Sequence, residues 1–331
     1  MRPESFRSDA GRGTLRLMFR AFSLAAAVGA FLLAVLGSWV RINGAGMTCP
    51  DWPLCNGALI PSLAGGVIFE WSHRLVALVE GVVVLAALWA ALRARREIAG
   101  VTQTVAFVAV VFVLQVSLGG LTVFLANSPW SVVVHWGTAM LFLAGLTALA
   151  VLAIVRPRHI VIRHSVLGGV LSVCLVLAFA VMCAGAYVSS SGAGLACSTL
   201  PACDGGSWTG TGALQAAQMT HRWLAAALFA AATVAAYAAA LGTTPRVRVA
   251  ALFAYALIVL QAMLGIANVA WALPMVLREA HAANACATYL AFLGAVVFAA
   301  IDGTVPLRSA HAVERRTVSV GRGAEAHGTP Q

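Results

Sequence analysis

Residues 43–57 read NGAGMTCPDWPLCNG, and residues 191–205 read SGAGLACSTLPACDG. Laid over each other at an offset of 148, Gly44 falls on Gly192, Gly46 on Gly194, Cys49 on Cys197, Pro53 on Pro201, Cys55 on Cys203 and Gly57 on Gly205. The same offset carries His73-Arg74 onto His221-Arg222. At a shift of 146, QVSLGG (115–120) meets QAMLGI (261–266) and His135 meets His281. One unit is written twice.

What surrounds these stretches is apolar: 61% of the 331 residues are hydrophobic, only 10% are charged, and the mean hydropathy is +0.91. That is the composition of a membrane protein. Runs of roughly 20 apolar residues, the length that crosses a bilayer core, lie at about 21–42, 72–92, 104–125, 133–155, 165–188, 217–241, 249–272 and 282–301. The expected fold is therefore an all-α membrane protein of eight transmembrane helices, built as two tandem four-helix bundles, 21–155 and 165–301. Each copy holds an even number of spans, so both copies enter the membrane in the same orientation. That implies a pseudo-twofold axis along the membrane normal. Pro157 helps end the fourth helix at the link between the copies.

The formal net charge is +10, and every basic residue is an arginine. Arg2, Arg7, Arg12, Arg16 and Arg20 precede the first span; Arg93, Arg95, Arg96, Arg156, Arg158, Arg163, Arg246 and Arg248 occupy alternate connections; Arg308, Arg315, Arg316 and Arg322 follow the last span. The loops at 43–70, 126–132 and 189–216 have none, and 273–280 has only Arg278. By the positive-inside rule the protein is a multi-pass component of the inner (plasma) membrane with both termini cytoplasmic. The charge reports topology, and the partner it implies is the lipid bilayer, not nucleic acid. Residues 1–20 read as a cytoplasmic segment and 302–331 as a disordered cytoplasmic tail. The first run lacks an A-x-A-like cleavage site and reads as a retained span.

Four histidines, His73, His135, His221 and His281, open the even-numbered spans and so share a depth near the outer interface. Each bundle can point two imidazoles at each other across its interior, an arrangement suited to axial ligation of a heme iron. No third ligand repeats beside either pair, which argues against zinc. Arg74 and Arg222 follow ligand candidates directly, and Arg41 and Arg278 stand at outer helix ends. They serve either as partners of heme propionates or as interfacial anchors.

The loop cysteines can close as Cys49–Cys55 and Cys197–Cys203 on an oxidising side of the membrane, either as structural staples or, for the first pair, as a redox couple. The copies differ in one telling place: Glu70, three residues before His73 and on the same helix face, is replaced by Gln218 before His221. The first loop also has Asp51 and Trp52 where the second has Thr199 and Leu200. Carboxylates suited to moving a proton or stabilising a cation therefore mark the first half. Glu80, two turns deeper than His73, is either part of a proton path or a protonated group bonded between helices.

At these residues the chain resembles the heme A synthase family, membrane enzymes that make the heme of aa3-type oxidases. The resemblance covers about 21–301. It rests on GAGMTCPDWPLCNG (44–57), EWSHRL (70–75) and VVHWG (133–137) in the first half, and on SGAGLACSTLPACDG (191–205), THRW (220–223) and EAHAANA (279–285) in the second. It implies oxidation of the C8 methyl of heme O to a formyl group by successive hydroxylations. The N-terminal half would receive heme O at His73 and His135, and the C-terminal half would hold a heme b cofactor on His221 and His281. Glu70 would be the essential acid, and Cys49 with Cys55 the first-loop pair. The implied partners are a heme O synthase (farnesyltransferase) and an electron acceptor in the membrane. The oligomeric state, a homo-oligomer included, is left open. A non-enzymatic diheme cytochrome b would use the same four histidines but gives no reason for Glu70 against Gln218. A heme transporter would need midplane helix breaks, for which Gly119, Gly120 and Gly265 are the candidates.

Overall fold

The computed structural model describes residues 4–160 and 164–302. Arg2, Arg163 and the tail with Arg308, Arg315, Arg316 and Arg322 lie outside the described residues. Eight helices account for most of the rest: α1 (Glu4–Ile42), α2 (Val67–Ala94), α3 (Val101–Phe124), α4 (Pro129–Val155), α5 (Val166–Ser190), α6 (Ala213–Leu241), α7 (Pro245–Ala270) and α8 (Met275–Asp302). Each is long and apolar enough to cross a membrane, where helices satisfy every backbone polar group internally. The chain is an all-α, eight-span membrane protein. Among the described residues the only β pairing is one isolated bridge in each cysteine loop, Cys55 with Ala58 and Cys203 with Ser207.

Local chemistry sets several helix starts. Pro129 and Pro245 stand in the first turns of α4 and α7, where a missing N–H costs nothing. The Ser165 and Thr244 side chains accept from the Gly168 and Val247 N–H groups to begin α5 and α7. At the other end, the left-handed turns that lead α1 and α5 into their loops fall on repeat-matched glycines, Gly44 (φ 66°) and Gly192 (φ 76°).

Most helices start earlier than the expected spans. The shifts are largest in three of them: α2 begins at Val67 rather than near 72, α1 is already helical from Glu4 rather than from about 21, and α8 begins at Met275 rather than near 282. Hydropathy marks the apolar run and not the helix, which continues through the residues flanking it.

In the first half α1 packs against α2 and α4, and α3 packs against α4 and more lightly α2. In the second half α5 packs against α6 and α8, and α7 against α8 and α6. The halves meet through α4–α5, α1–α8 and α4–α8. Small buried residues let helices approach closely: Ala26 and Ala30 on α1, Ala87, Ala90 and Ala91 on α2, and Ala232, Ala235 and Ala239 on α6. Two contacts join a residue to its own repeat counterpart. Met140 Sδ lies 3.9 Å from Cys286 Sγ, and the Arg41 guanidinium donates to the Ser189 hydroxyl.

Candidate functional site

His73, His135 and His281 each lie about two turns inside their helices, as the seventh residue of α2, α4 and α8; His221 is the ninth of α6. They were expected to open those helices. They lie deeper because the residues before them, 67–72, 129–134, 213–220 and 275–280, are helical too. All four rings are half-buried.

Every imidazole rests on a glycine of the preceding helix. A Cβ added to Gly37 would lie 2.9 Å from His73 Cε1; at Gly119 it would lie 3.3 Å from His135 Cε1; at Gly185, 3.0 Å from His221 Cε1; at Gly265, 3.3 Å from His281 Cε1. Ordinary side chains do not fit where the rings sit. Sequence reasoning missed Gly37 and Gly185 and read Gly119 and Gly265 only as possible helix breaks. The signal was there: the offset of 148 carries Gly37 to Gly185, and 146 carries Gly119 to Gly265.

The structure brings the second pair together, with His221 and His281 ring centroids 6.5 Å apart at an interplanar angle of 70°. His73 lies within electrostatic reach of His135. The copies differ in how the rings are held. The Nδ1 of His221 is 3.1 Å from the Val181 carbonyl oxygen, a bond that leaves Nε2 as the free ligand nitrogen. The Nδ1 atoms of His73, His135 and His281 are buried with no hydrogen-bond partner among the described residues. No three His, Cys, Asp or Glu side chains converge among the described residues. What each half offers is a pair of neutral imidazoles on small-residue cradles, a donor set that fits a heme iron.

Over each pair sits a disulfide loop, Cys49–Cys55 in the first half and Cys197–Cys203 in the second. The two arginines clamp these loops. Arg74 Nη1 donates to the carbonyls of Asp51 and Leu54, both at 2.6 Å, and Nη2 to that of Cys49 at 2.8 Å. Arg222 donates to the carbonyls of Thr199 (2.8 Å), Pro201 (3.1 Å) and Cys197 (3.1 Å). Each guanidinium is thus engaged by the backbone of its own loop.

Glu70 and Gln218 complete the clamps. Glu70, 4% exposed, takes Arg74 Nη2 on Oε1 at 2.6 Å, and on Oε2 the Cys49 N–H at 2.8 Å and the Thr48 hydroxyl at 3.0 Å. Gln218 Oε1 accepts the equivalent Cys197 N–H at 2.6 Å, and its Nε2 donates to the Gly194 carbonyl at 2.9 Å. The first site is thus roofed by an ion pair and the second by a neutral amide.

Asp51 braces its own loop rather than facing the site, accepting from the N–H groups of Asn56 (2.6 Å) and Gly57 (2.8 Å). The Gly57 N–H does most to hold its carboxyl below the usual range. The second loop has its own brace at a different position. Asp204 accepts from the Ser198 hydroxyl (2.8 Å) and N–H (2.9 Å), and that hydroxyl chiefly holds its carboxyl low. Trp52 lies flat against Gly120, where a Cβ would meet its ring at 3.1 Å; Leu200 and Ile266 stand at these places in the second copy.

Glu80 is 7% exposed, and its carboxyl fills the space a Cβ on Gly29 of α1 would need. The repeat counterparts are Leu228 and Leu177. The acid therefore lies between α1 and α2, with Oε1 unpartnered among the described residues.

Closing so short a loop restricts the unfolded chain by about 2 kcal/mol. The double variant Cys197→Ala, Cys203→Ala is expected to lose roughly that stability in denaturant unfolding. Maleimide labelling of both thiols in the native wild type would refute the staple.

Eight spans, two roofed histidine pairs and an internal repeat define a polytopic membrane protein with paired intramembrane imidazole sites. A family model described as cytochrome oxidase assembly protein matches residues 20–66 and 64–293, and the chain belongs to that family. A heme A synthase from Bacillus licheniformis is 32% identical over 258 residues, covering 74% of this chain and 84% of the relative. One from Alkalihalophilus pseudofirmus is 31% identical over 216 residues (61% and 70%), and one from Bacillus pumilus 28% over 233 residues (65% and 73%).

Proposed function

We propose that this chain works in heme A biosynthesis, oxidising the C8 methyl of heme O to a formyl group by successive hydroxylations. Relatives named heme A synthase along most of the chain support the pathway. The site assignment rests on the unequal preparation of the two histidine pairs. In the second half, His221 is oriented by the Val181 carbonyl, and Gln261 Nε2 donates to the His281 carbonyl at 3.0 Å. The Gln261 bond holds the backbone of α8 at His281, so the second half orients one ligand ring and steadies the helix that carries the other, which suits a resident cofactor. In the first half neither Nδ1 is tied, which suits a heme that must enter and leave.

His221 and His281 would hold heme b, which supplies one-electron transfer when bound. His73 and His135 would receive heme O, and the Glu70–Arg74 pair would set the charge at the first mouth. We place the loops on the oxidising side of the cell membrane and both termini in the cytoplasm, as the arginine distribution supports. We also relate the copies by a pseudo-twofold axis, supported by the Met140–Cys286 and Arg41–Ser189 contacts between matched positions. A membrane farnesyltransferase would deliver the substrate, and an electron acceptor in the membrane would reoxidise the enzyme.

The test is expression beside a heme O source, followed by extraction and chromatography of the bound hemes. Heme b together with hydroxylated and formyl derivatives of heme O is the expected result. Two equivalents of heme b with heme O left untouched would leave a diheme cytochrome instead.

A further inference from the structure

Gln115 on α3 and Gln261 on α7 occupy the same register in the two copies, four residues before the glycine that backs the histidine. They are used differently. Gln261 is locked: beyond its bond to the His281 carbonyl, its Oε1 accepts from Asn284 Nδ2 at 2.7 Å, and Asn284 also donates to the Leu257 carbonyl at 3.0 Å. At the shift of 146 the counterpart of Asn284 is Thr138. Its hydroxyl turns back on its own helix, to the Val134 carbonyl at 2.8 Å. Gln115 therefore has no such lock. Its Nε2 lies 3.4 Å from Nε2 of His135, and its Oε1 is buried without a partner among the described residues.

A carboxamide offers two donors and an acceptor, and a buried acceptor left unpaired costs free energy unless a ligand supplies the partner. Here the amide stands beside the imidazole nitrogen that iron would take. It must give way as a heme enters, and it then borders the ring. A hydroxyl, at once donor and acceptor, matches an amide in this position. A carboxylate can accept from Nε2 but has no proton to donate, so it would leave the unpaired Oε1 unsatisfied.

We propose that Gln115 is a substrate-contacting residue whose amide hydrogen-bonds a hydroxyl on the periphery of the heme in the first half. This rests on the assignment of heme O to that half. Two hydroxyls have this chemistry: the one heme O carries on its isoprenoid side chain, and the one hydroxylation places on the ring methyl. The second half, with its amide locked by Asn284, is built for a heme without either.

The test uses the full chain in detergent, retaining its resident heme. Heme O and heme B are titrated by absorption, with His135→Ala as the blank. Two variants remove the contact by different routes. Gln115→Leu deletes the amide, and Thr138→Asn supplies the lock found in the second copy. If the side-chain hydroxyl is the partner, both weaken heme O binding about five- to tenfold and leave heme B binding unchanged. If the ring hydroxyl is the partner, heme O binds normally, and hydroxylated intermediate accumulates over formyl product by a similar factor. Equal losses for both hemes, or no change in affinity or product ratio, would overturn the proposal while leaving the heme O assignment standing. Identical heme O uptake by wild type and His135→Ala would overturn the assignment itself, and Gln115 with it.

Discussion

Glu70→Gln is expected to cut heme A formation by at least about 100-fold, the lower scale for losing one preorganised electrostatic contact in an active site, while the fold and the resident heme survive. The second copy supplies the reason for survival: Gln218 already holds the equivalent Cys197 N–H, so an amide suffices to pin the loop. What the substitution removes is charge. Arg74 lies 2.6 Å from Glu70 in a largely buried pair, and removing one partner leaves the other uncompensated. The first mouth would change from a neutral ion pair to a bare guanidinium on Arg74, the residue directly after His73. In the proposed reaction, oxidising a ring methyl would withdraw electrons from the macrocycle, so positive charge would develop near that cation and the barrier would rise. Three donors already engage the Glu70 oxygens, which makes its contribution a fixed charge more than a free proton acceptor. The measurement is the ratio of heme A to heme O and hydroxylated intermediates extracted from the variant, normalised to heme b. Near-normal heme A in Glu70→Gln would remove the reason for placing the chemistry in the N-terminal half.

Much of this was legible in the residues. Eight spans follow from hydropathy, and the repeat follows from cysteine, glycine and histidine spacing, because each of those residues is chemically hard to replace where it stands. The four-residue spacing of Glu70 and Arg74 fits a pair on one helix face, but the sequence reading sets Glu70 only against His73 and leaves Arg74 only as a propionate partner or interfacial anchor. Hydropathy could not place the histidines two turns inside their helices, since one charged or polar residue before each, such as Glu70 or Ser131, was enough to end the apolar run while the helix went on. The roles of Arg74 and Arg222 were hidden for another reason. Their partners are loop carbonyls, which every residue has, so no side-chain pattern reports them. Glu80 was visible as an anomaly, but its fit against Gly29 depends on the pairing of α1 with α2. The glycines under the imidazoles are the instructive case. A glycine in an apolar helix reads as flexibility until the repeat shows that the same offset binding histidine to histidine also binds Gly37 to Gly185 and Gly119 to Gly265.

Those glycines lead to the other large effect. His221→Ala and His281→Ala are expected to remove the resident heme, because each deletes one of the two imidazoles that the second half brings together. Gly185→Val is expected to do nearly the same without touching a ligand. Its Cβ would lie 3.0 Å from His221 Cε1 and 3.4 Å from Nδ1, and its two γ-methyls would extend further toward the ring. The imidazole would have to move, losing the Val181 carbonyl at 3.1 Å that fixes which nitrogen faces the iron. Loss of such an orienting contact lowers metal affinity about 10- to 100-fold, whereas Gly185→Ala, with no γ-methyls, should lose less. Gly169→Val on the same helix is the control, since nothing lies within 4 Å of a Cβ there; it carries the same helix-propensity change without the clash. The readout is heme b per protein after purification, with the absorption spectrum reporting ligation. Wild-type heme content and spectrum in Gly185→Val would show that the ring has room to spare, and that the glycine–histidine pairs are packing rather than a cradle for ligands.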